Sequence, residues 1–155
     1  MPEHAERRRV RHAPDDVFAL VADVRDYPKF IKWIRAMRVL DDNVADGAGV
    51  LTAEAIVGYK LLRERFTTRV TLDRANGAID VAFVAGPLSA LENRWRFRPL
   101  TDGSTEVDFH VRYELANPLL RAILAANFDR AAERIMNAFE ARAAERFALV
   151  GAEAS

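Results

Sequence analysis

Residues Leu91–Leu115 read LENRWRFRPLTDGSTEVDFHVRYEL, and residues Pro118–Phe147 read PLLRAILAANFDRAAERIMNAFEARAAERF. These two stretches decide the fold. In the first, Leu91, Trp95 and Phe97 share one parity while Glu92, Arg94, Arg96 and Arg98 share the other. After the Asp102-Gly103 turn signal, Val107, Phe109, Val111, Tyr113 and Leu115 alternate with Glu106, Asp108, His110, Arg112 and Glu114. One dry and one wet set at period two marks antiparallel strands that cover a core on a single face. In the second stretch, Leu120, Ile123, Leu124, Phe128, Ala131, Ile135, Phe139 and Ala143 recur at helical spacing. Asn117 is placed to cap that helix, and Pro118 suits its first position, where an N–H would have no partner. A helix of about thirty residues spans roughly 45 Å at 1.5 Å per residue, enough to cross a whole sheet.

Working back toward the N-terminus, the same alternation continues. Ile79, Val81, Phe83 and Ala85 follow an Asn76-Gly77 signal for a two-residue hairpin, and Gly86-Pro87 ends that run. Leu61–Leu72 is a long strand with Phe66, Val70 and Leu72 on one side and Arg63, Arg65 and Arg69 on the other. Met37–Leu40 and Val50–Val57 are strands joined by a polar loop, Asp41–Gly49. Glu6–Val10 reads as a first strand. Pro14, with Asp15 and Asp16 in the first turn, opens a helix that Tyr27-Pro28 stops or turns. A second short helix is expected over Lys29–Ile34. The pattern is α+β: a curved antiparallel sheet wrapped around a long C-terminal helix, with two short helices near the N-terminus. A bent sheet gripping one helix cannot close at both ends, so an apolar pocket is expected between them.

At 155 residues the chain is expected to form a single domain, residues 1–155. Lys+Arg and Asp+Glu both number 23, so bulk charge gives no reason to expect DNA. The sequence holds no cysteine, which excludes disulfides and cysteine-based metal or cluster sites. No apolar run is long enough for a bilayer span, and the basic N-terminal residues lack the apolar segment of a secretory signal. A cytoplasmic location is expected, with peripheral contact at the inner membrane as an option.

Several motifs carry a family resemblance. They are Pro14-Asp15-Asp16-Val17-Phe18, Val21-Ala22-Asp23-Val24 and Tyr27-Pro28-Lys29-Phe30 with Trp33; then Gly86-Pro87-Leu88 with Leu91, Trp95, Phe97 and Pro99; then Phe139-Glu140-Ala141-Arg142-Ala143. In this order, over about residues 5 to 148, they resemble the START-like, or helix-grip, superfamily with its polyketide cyclase/dehydrase-type domains. Within it the chain looks most like the coenzyme Q-binding protein family and its bacterial ribosome-association-toxin relatives. Ala13 stands where that family usually has a capping Ser, and Lys32 and Ile34 stand where Pro and Cys are common. The resemblance implies non-enzymatic binding of ubiquinone or a similar isoprenoid lipid, in support of respiratory electron transport. It implies no cofactor beyond that ligand. It leaves two alternatives open: inhibition of ribosome association, or a cyclase/dehydrase-like enzyme.

The residues say little for catalysis. His4, His12 and His110 have no metal-ligand spacing and read as surface histidines. There is no phosphate loop and no nucleophile elbow. Glu64 shares parity with Phe66 and Val70; inside an apolar cavity its carboxyl would act as an acid, but a strand-end glutamate reaching water is the simpler expectation. Asn93 shares parity with Trp95, so it is expected to point inward as a polar anchor for a ligand carbonyl or methoxy oxygen. Taken with the resemblance, the expected ligand-binding set is Trp33, Phe66, Phe83, Asn93, Trp95, Phe97, Phe109, Tyr113, Leu120, Leu124 and Phe128. Arg63, Arg65, Arg69, Arg94, Arg96 and Arg98 are expected to form a basic outer face that docks weakly on anionic lipid or ribosomal RNA, if their two strands lie close together.

Overall fold

The computed structural model describes residues 3–59, 62–125 and 128–151. Seven strands alternate with turns: β1 (Glu3–Val10), β2 (Ile34–Ala45), β3 (Ala48–Tyr59), β4 (Leu62–Asp73), β5 (Ala78–Ala85), β6 (Leu88–Pro99) and β7 (Thr105–Leu115). They form one antiparallel sheet in the order β1-β7-β6-β5-β4-β3-β2. Helix α1 (Pro14–Ala22) follows β1, and helices α2 (Pro118–Ala125) and α3 (Phe128–Arg146) follow β7. Register shifts in β2 between Ile34 and Ala36 and between Val39 and Asp41, and near Thr67 and Leu88, place bulges across the sheet. Bulges bend strands and add twist. The sheet thereby curves around α3, the helix-grip arrangement.

The strand parity holds. Trp95, Phe97, Val107, Phe109, Tyr113 and Leu115 are all buried. Helix α3 buries Ala132, Met136, Phe139 and Ala143, one stripe at spacing four, three, four, against the concave face. The Asn117 side chain accepts from the Leu119 backbone N–H at 2.8 Å, the N-cap read from sequence. Helix α1 starts at Pro14 with no side-chain cap from Ala13, and buries Val17, Phe18, Leu20 and Val21. The Phe18 ring meets Phe97 edge-on at 5.8 Å, closing the floor of the core.

Three local expectations are corrected. No helix spans Lys29–Ile34; a 3₁₀ turn occupies Val24–Lys29 with Pro28 inside it, and β2 begins at Ile34. Proline's fixed φ fits 3₁₀ geometry, so Tyr27-Pro28 continues the turn instead of ending it. The polar stretch Asp41–Gly49 is not a loop but the paired ends of β2 and β3 around a two-residue turn, Asp46-Gly47. Both turn residues have positive φ, 53° and 76°, as a type I′ hairpin requires. Asp41 and Asp42 are polar because β2 is a sheet edge with solvent beside it. Asn76-Gly77 closes a four-residue connection, Arg74–Gly77, in which the Asp73 carboxylate accepts from the Asn76 side chain at 2.8 Å. Only Gly77 has positive φ there, and an added Cβ would lie 2.5 Å from the Phe97 carbonyl oxygen.

Candidate functional site: an apolar cavity under the gripped helix

The sheet and α3 enclose a cavity of about 260 Å³. Its walls come from the N-terminal helical segment, the sheet and α3. Val21, Val24, Tyr27 and Ile31 descend from the N-terminal helical segment, and Ile34 and Met37 from β2. Ala53, Thr68, Val70, Ile79 and Val81 come from β3 to β5, and Leu91, Asn93, Trp95, Phe109 and Val111 from β6 and β7. Phe128, Ala131, Ala132, Ile135 and Phe139 form the α3 wall. The fully buried members, among them Val21, Ile79, Trp95 and Phe139, lie toward α1. Members that keep some exposure, including Ile34, Thr68, Val81, Leu91 and Phe128, lie toward the end where β3 turns into β4 and β5 into β6. The cavity therefore opens at that end.

Three of its polar side chains are engaged. The Trp95 indole N–H donates to Asn93 Oδ1 at 3.0 Å, and Asn93 Nδ2 donates to the His110 carbonyl oxygen at 2.9 Å. The Tyr27 hydroxyl donates to the Val21 carbonyl, and burial pushes its pKa above the ordinary tyrosine value. The one further polar side chain among the described lining residues is Thr68; the others are hydrocarbon. Among the described lining residues none is a carboxylate, histidine or lysine. Among the described residues the lining is apolar and offers no acid–base pair that could move a proton.

Four members of the sequence-derived ligand set border the cavity: Asn93, Trp95, Phe109 and Phe128. Five do not. Phe97 lies deeper, stacked on Trp95 at 6.2 Å and against Phe18. Tyr113 packs on Phe128 at 4.6 Å, and its buried hydroxyl has no hydrogen-bond partner among the described residues. Trp33 is half-buried and packs against the core from outside the cavity, its carbonyl accepting from Gly58 N–H at 2.8 Å. Phe66 and Phe83 are half-buried near the open end of the sheet and border no part of the space. Glu64 is half-buried and also stands off the cavity. The side chains of Leu120 and Leu124 lie outside what is described. Parity places a residue on a face; it does not give its height along the strand, which separates Trp95 from Phe97. Ile79, Val81 and Val111 were readable by the same parity. Val24 and Ile31, in the 3₁₀ segment and just after it, carry no periodic signal.

Two ion-pair clusters fix the walls. Asp26, 7% exposed, receives a two-pronged contact from Arg142 of α3, with Nε and Nη2 each 3.1 Å from a carboxylate oxygen. Lys29 and Arg146 stand 3.6 Å away. Burial pushes the Asp26 carboxyl up, but the Arg142 bonds and the three cations outweigh it and hold it below its ordinary value. Arg142 also lies over the Phe30 ring, which with Tyr27 packs edge-on against Phe139. The 3₁₀ wall is thus clamped to the helix.

The second cluster corrects the histidine reading. His4 points inward from β1, Nδ1 3.0 Å from Asp129 of α3 and Nε2 3.2 Å from Glu6. Burial lowers its pKa, but the two carboxylates outweigh that and raise it above 6.5. Its ring leans on Phe109 and Phe128, which line the cavity. His12 is 2% exposed, with Nδ1 3.1 Å from the Ala148 carbonyl oxygen. His110 is paired with Glu3 at 3.2 Å. A strand at the sheet edge buries one face under α3, so a histidine in the N-terminal segment is not thereby a surface residue.

The six arginines do not gather into one basic face. Strand β5 separates β4 from β6, and carboxylates interleave. Arg96 pairs with Asp80 at 2.9 Å, Arg98 with Glu106 at 3.3 Å, and Arg65 stands 3.9 Å from Glu54. Arg69 and Arg94 sit among neighbours that include Asp80 and Glu92. Arg63 lies at the open end, opposite Gly58.

Residues 10–140 match the family model described as polyketide cyclase / dehydrase and lipid transport. The ribosome association toxin RatA of Escherichia coli K12 is 30% identical over 145 residues, covering 94% of this chain and 89% of that protein. The mitochondrial coenzyme Q-binding protein COQ10 homolog B of Xenopus laevis is 26% identical over 144 residues, covering 91% of this chain and 57% of that one. The solution structure of an 18 kDa protein from Caulobacter crescentus superposes with a TM-score of 0.77 at 42% identity, covering 94% of this chain and 97% of that one. No described helix is long and apolar enough to cross a membrane.

Proposed function

We propose, from the premise that this chain belongs to the polyketide cyclase / dehydrase and lipid transport family, that it binds an apolar, quinone-type lipid without chemically altering it. The observation that carries this reading is the cavity: apolar walls, an Asn93–Trp95 pair already hydrogen-bonded, and no proton-transfer pair among the described residues. The coenzyme Q-binding relatives favour a quinone within that class. The remaining Asn93 N–H and the Thr68 hydroxyl are the groups that meet a headgroup oxygen. Each buried CH₂ of the guest contributes about 0.8 kcal/mol. At about 260 Å³ the space lies just below the roughly 300–1,000 Å³ of ordinary ligand pockets, so it takes a headgroup and the first part of a chain. A long isoprenoid tail then trails through the open end.

The test is quenching of Trp95 fluorescence by decylubiquinone in the Trp33→Phe background, with organic extraction of protein from its own host. Saturable quenching and co-extracted quinone are expected; neither appearing rejects the ligand. A second reading, association with ribosomal subunits, is supported by the toxin relatives that match nearly end to end. Sucrose-gradient profiles of subunits with added protein separate the two, because ligand binding alone leaves subunit joining unchanged.

A further inference from the structure

The open end of the sheet carries a cluster of cations drawn from β2 and β4. Arg35 crosses the outer face at Gly58: a Cβ built there would lie 3.0 Å from Arg35 Nε. Arg63 is the cross-strand partner of Gly58, and Arg65 that of Ile56. Arg38 and Arg65 stand 3.8 and 3.9 Å from Glu54, the one carboxylate among them. All four arginines are exposed, and Arg35 and Arg63 have no carboxylate partner among the described residues. Elsewhere the outer face interleaves signs; here four positive charges meet one negative. At the same end, Leu119 in the first turn of α2 is 69% exposed and Val84 of β5 is 43% exposed. This end is also where the cavity opens.

We infer that this end docks on a bilayer containing anionic phospholipid, with Arg35 and Arg63 at the headgroup phosphates and Leu119 and Val84 entering the interface. Charge complementarity selects the anionic lipid, and the two exposed apolar side chains select a bilayer over RNA. An RNA backbone rewards the cations but leaves Leu119 and Val84 in water, whereas a membrane interface rewards both. The docking rests on the lipid-binding reading above, because it sets the cavity opening against the phase that stores apolar guests.

The test is co-sedimentation with phosphatidylcholine vesicles, with and without phosphatidylglycerol, across a salt series. The protein is expected on the anionic vesicles and is released by salt. Each arginine near such a surface changes partition about fivefold, so the double variant R35Q/R63Q is expected to bind roughly 25-fold more weakly. R69Q/R94Q, which removes two charges from the mid-face, leaves binding unchanged. Equal binding to both vesicle types overturns the proposal, as does equal loss in the two double variants. Binding of the patch to a ribosomal RNA fragment with none to vesicles also overturns it. If R35Q/R63Q fails to fold, the single variants and the salt dependence of the unaltered protein give the same discrimination. Decylubiquinone quenching in vesicle-free solution separates the two readings. It is unchanged in R35Q/R63Q if both hold. Its absence in every variant, with anionic vesicle binding intact, removes the ligand and supports the docking surface.

Discussion

Filling the cavity from its wall is expected to stabilise the protein and weaken its ligand binding at once. Ala53 is 2% exposed on β3 and borders the cavity opposite Thr68. Ala53→Leu adds three carbon groups pointing into that space. At about 0.8 kcal/mol per buried CH₂ the gain is roughly 2 kcal/mol, provided that no neighbour has to move. The void of about 260 Å³ has room for them. Leucine also suits a strand interior better than alanine. For a chain of this size, roughly 2 kcal/mol raises Tm by about 4–8 °C. The guest loses the same volume and the contacts that went with it. That loss, again roughly 2 kcal/mol, is about thirtyfold in Kd. Urea denaturation and thermal melting read the first effect, and Trp95 quenching by decylubiquinone reads the second. A lowered Tm would mean that the space is already filled and that the larger side chain overpacks it. An unchanged Kd with raised Tm would mean the guest sits elsewhere. Either result refutes the reasoning, since an unoccupied core defect and a binding site predict different pairs of outcomes.

Three further perturbations test the walls. Asp26→Ala removes the clamp on α3 and is expected to cost about 1–3 kcal/mol, below the usual figure for a buried pair because Arg142 reaches solvent; urea midpoints check it. The Asp26 pKa is depressed in the fold, so its contribution is fully present above the ordinary value of 3.8 and is lost as pH falls through the lower folded value. The native protein should therefore lose stability in that acid window more steeply than Asp26→Asn does. His4 has the opposite sign: its folded pKa lies above 6.5, so its contribution is complete below pH 6.5 and disappears as pH rises through the folded value. His4→Gln should flatten that slope, and NMR titration of the His4 ring gives the pKa directly; an unraised value rejects the pairing with Asp129 and Glu6. Asn93→Ala strands the Trp95 indole N–H and removes one bond to the His110 carbonyl, at a cost of about 1–3 kcal/mol. Adding Trp95→Phe should recover part of that loss, and no recovery would mean that Asn93 acts mainly on the ligand.

The architecture was legible in the sequence because it is written in periods. Val107 to Leu115 at period two and the α3 stripe at helical spacing each oblige one face to leave water. The turn at Asp46-Gly47 was legible as chemistry, although the polar residues beside it suggested a loop. They mark an edge strand, whose exposed side any polar residue can occupy. Pro28 misled for a related reason: proline forbids an α-helix interior but not a 3₁₀ turn. The cavity was legible as a consequence of the fold, and much of its lining was not. Trp95 and Phe97 share a face, yet one meets the void and the other the α1 floor. That choice is made by Phe18 of α1, which is remote in the chain and leaves no mark on the strand's own alternation. The histidines failed the same way. His4 is half-buried against Asp129 and Phe128, which lie more than a hundred residues further along the chain.

The first strand pairs with the last, Glu3 through Val10 against Arg112 through Thr105. Such pairing joins residues far apart along the chain, and loops of that length make folding slow. During synthesis β1 emerges well before β7 and waits until its partner has been made. Phe128 and Phe139, two of the aromatic walls, arrive later still. A polypeptide cut short before α3 therefore lacks one wall: the compartment comes into being only once that helix has been made. Until then its oily surfaces are bare, open to chaperones and to aggregation.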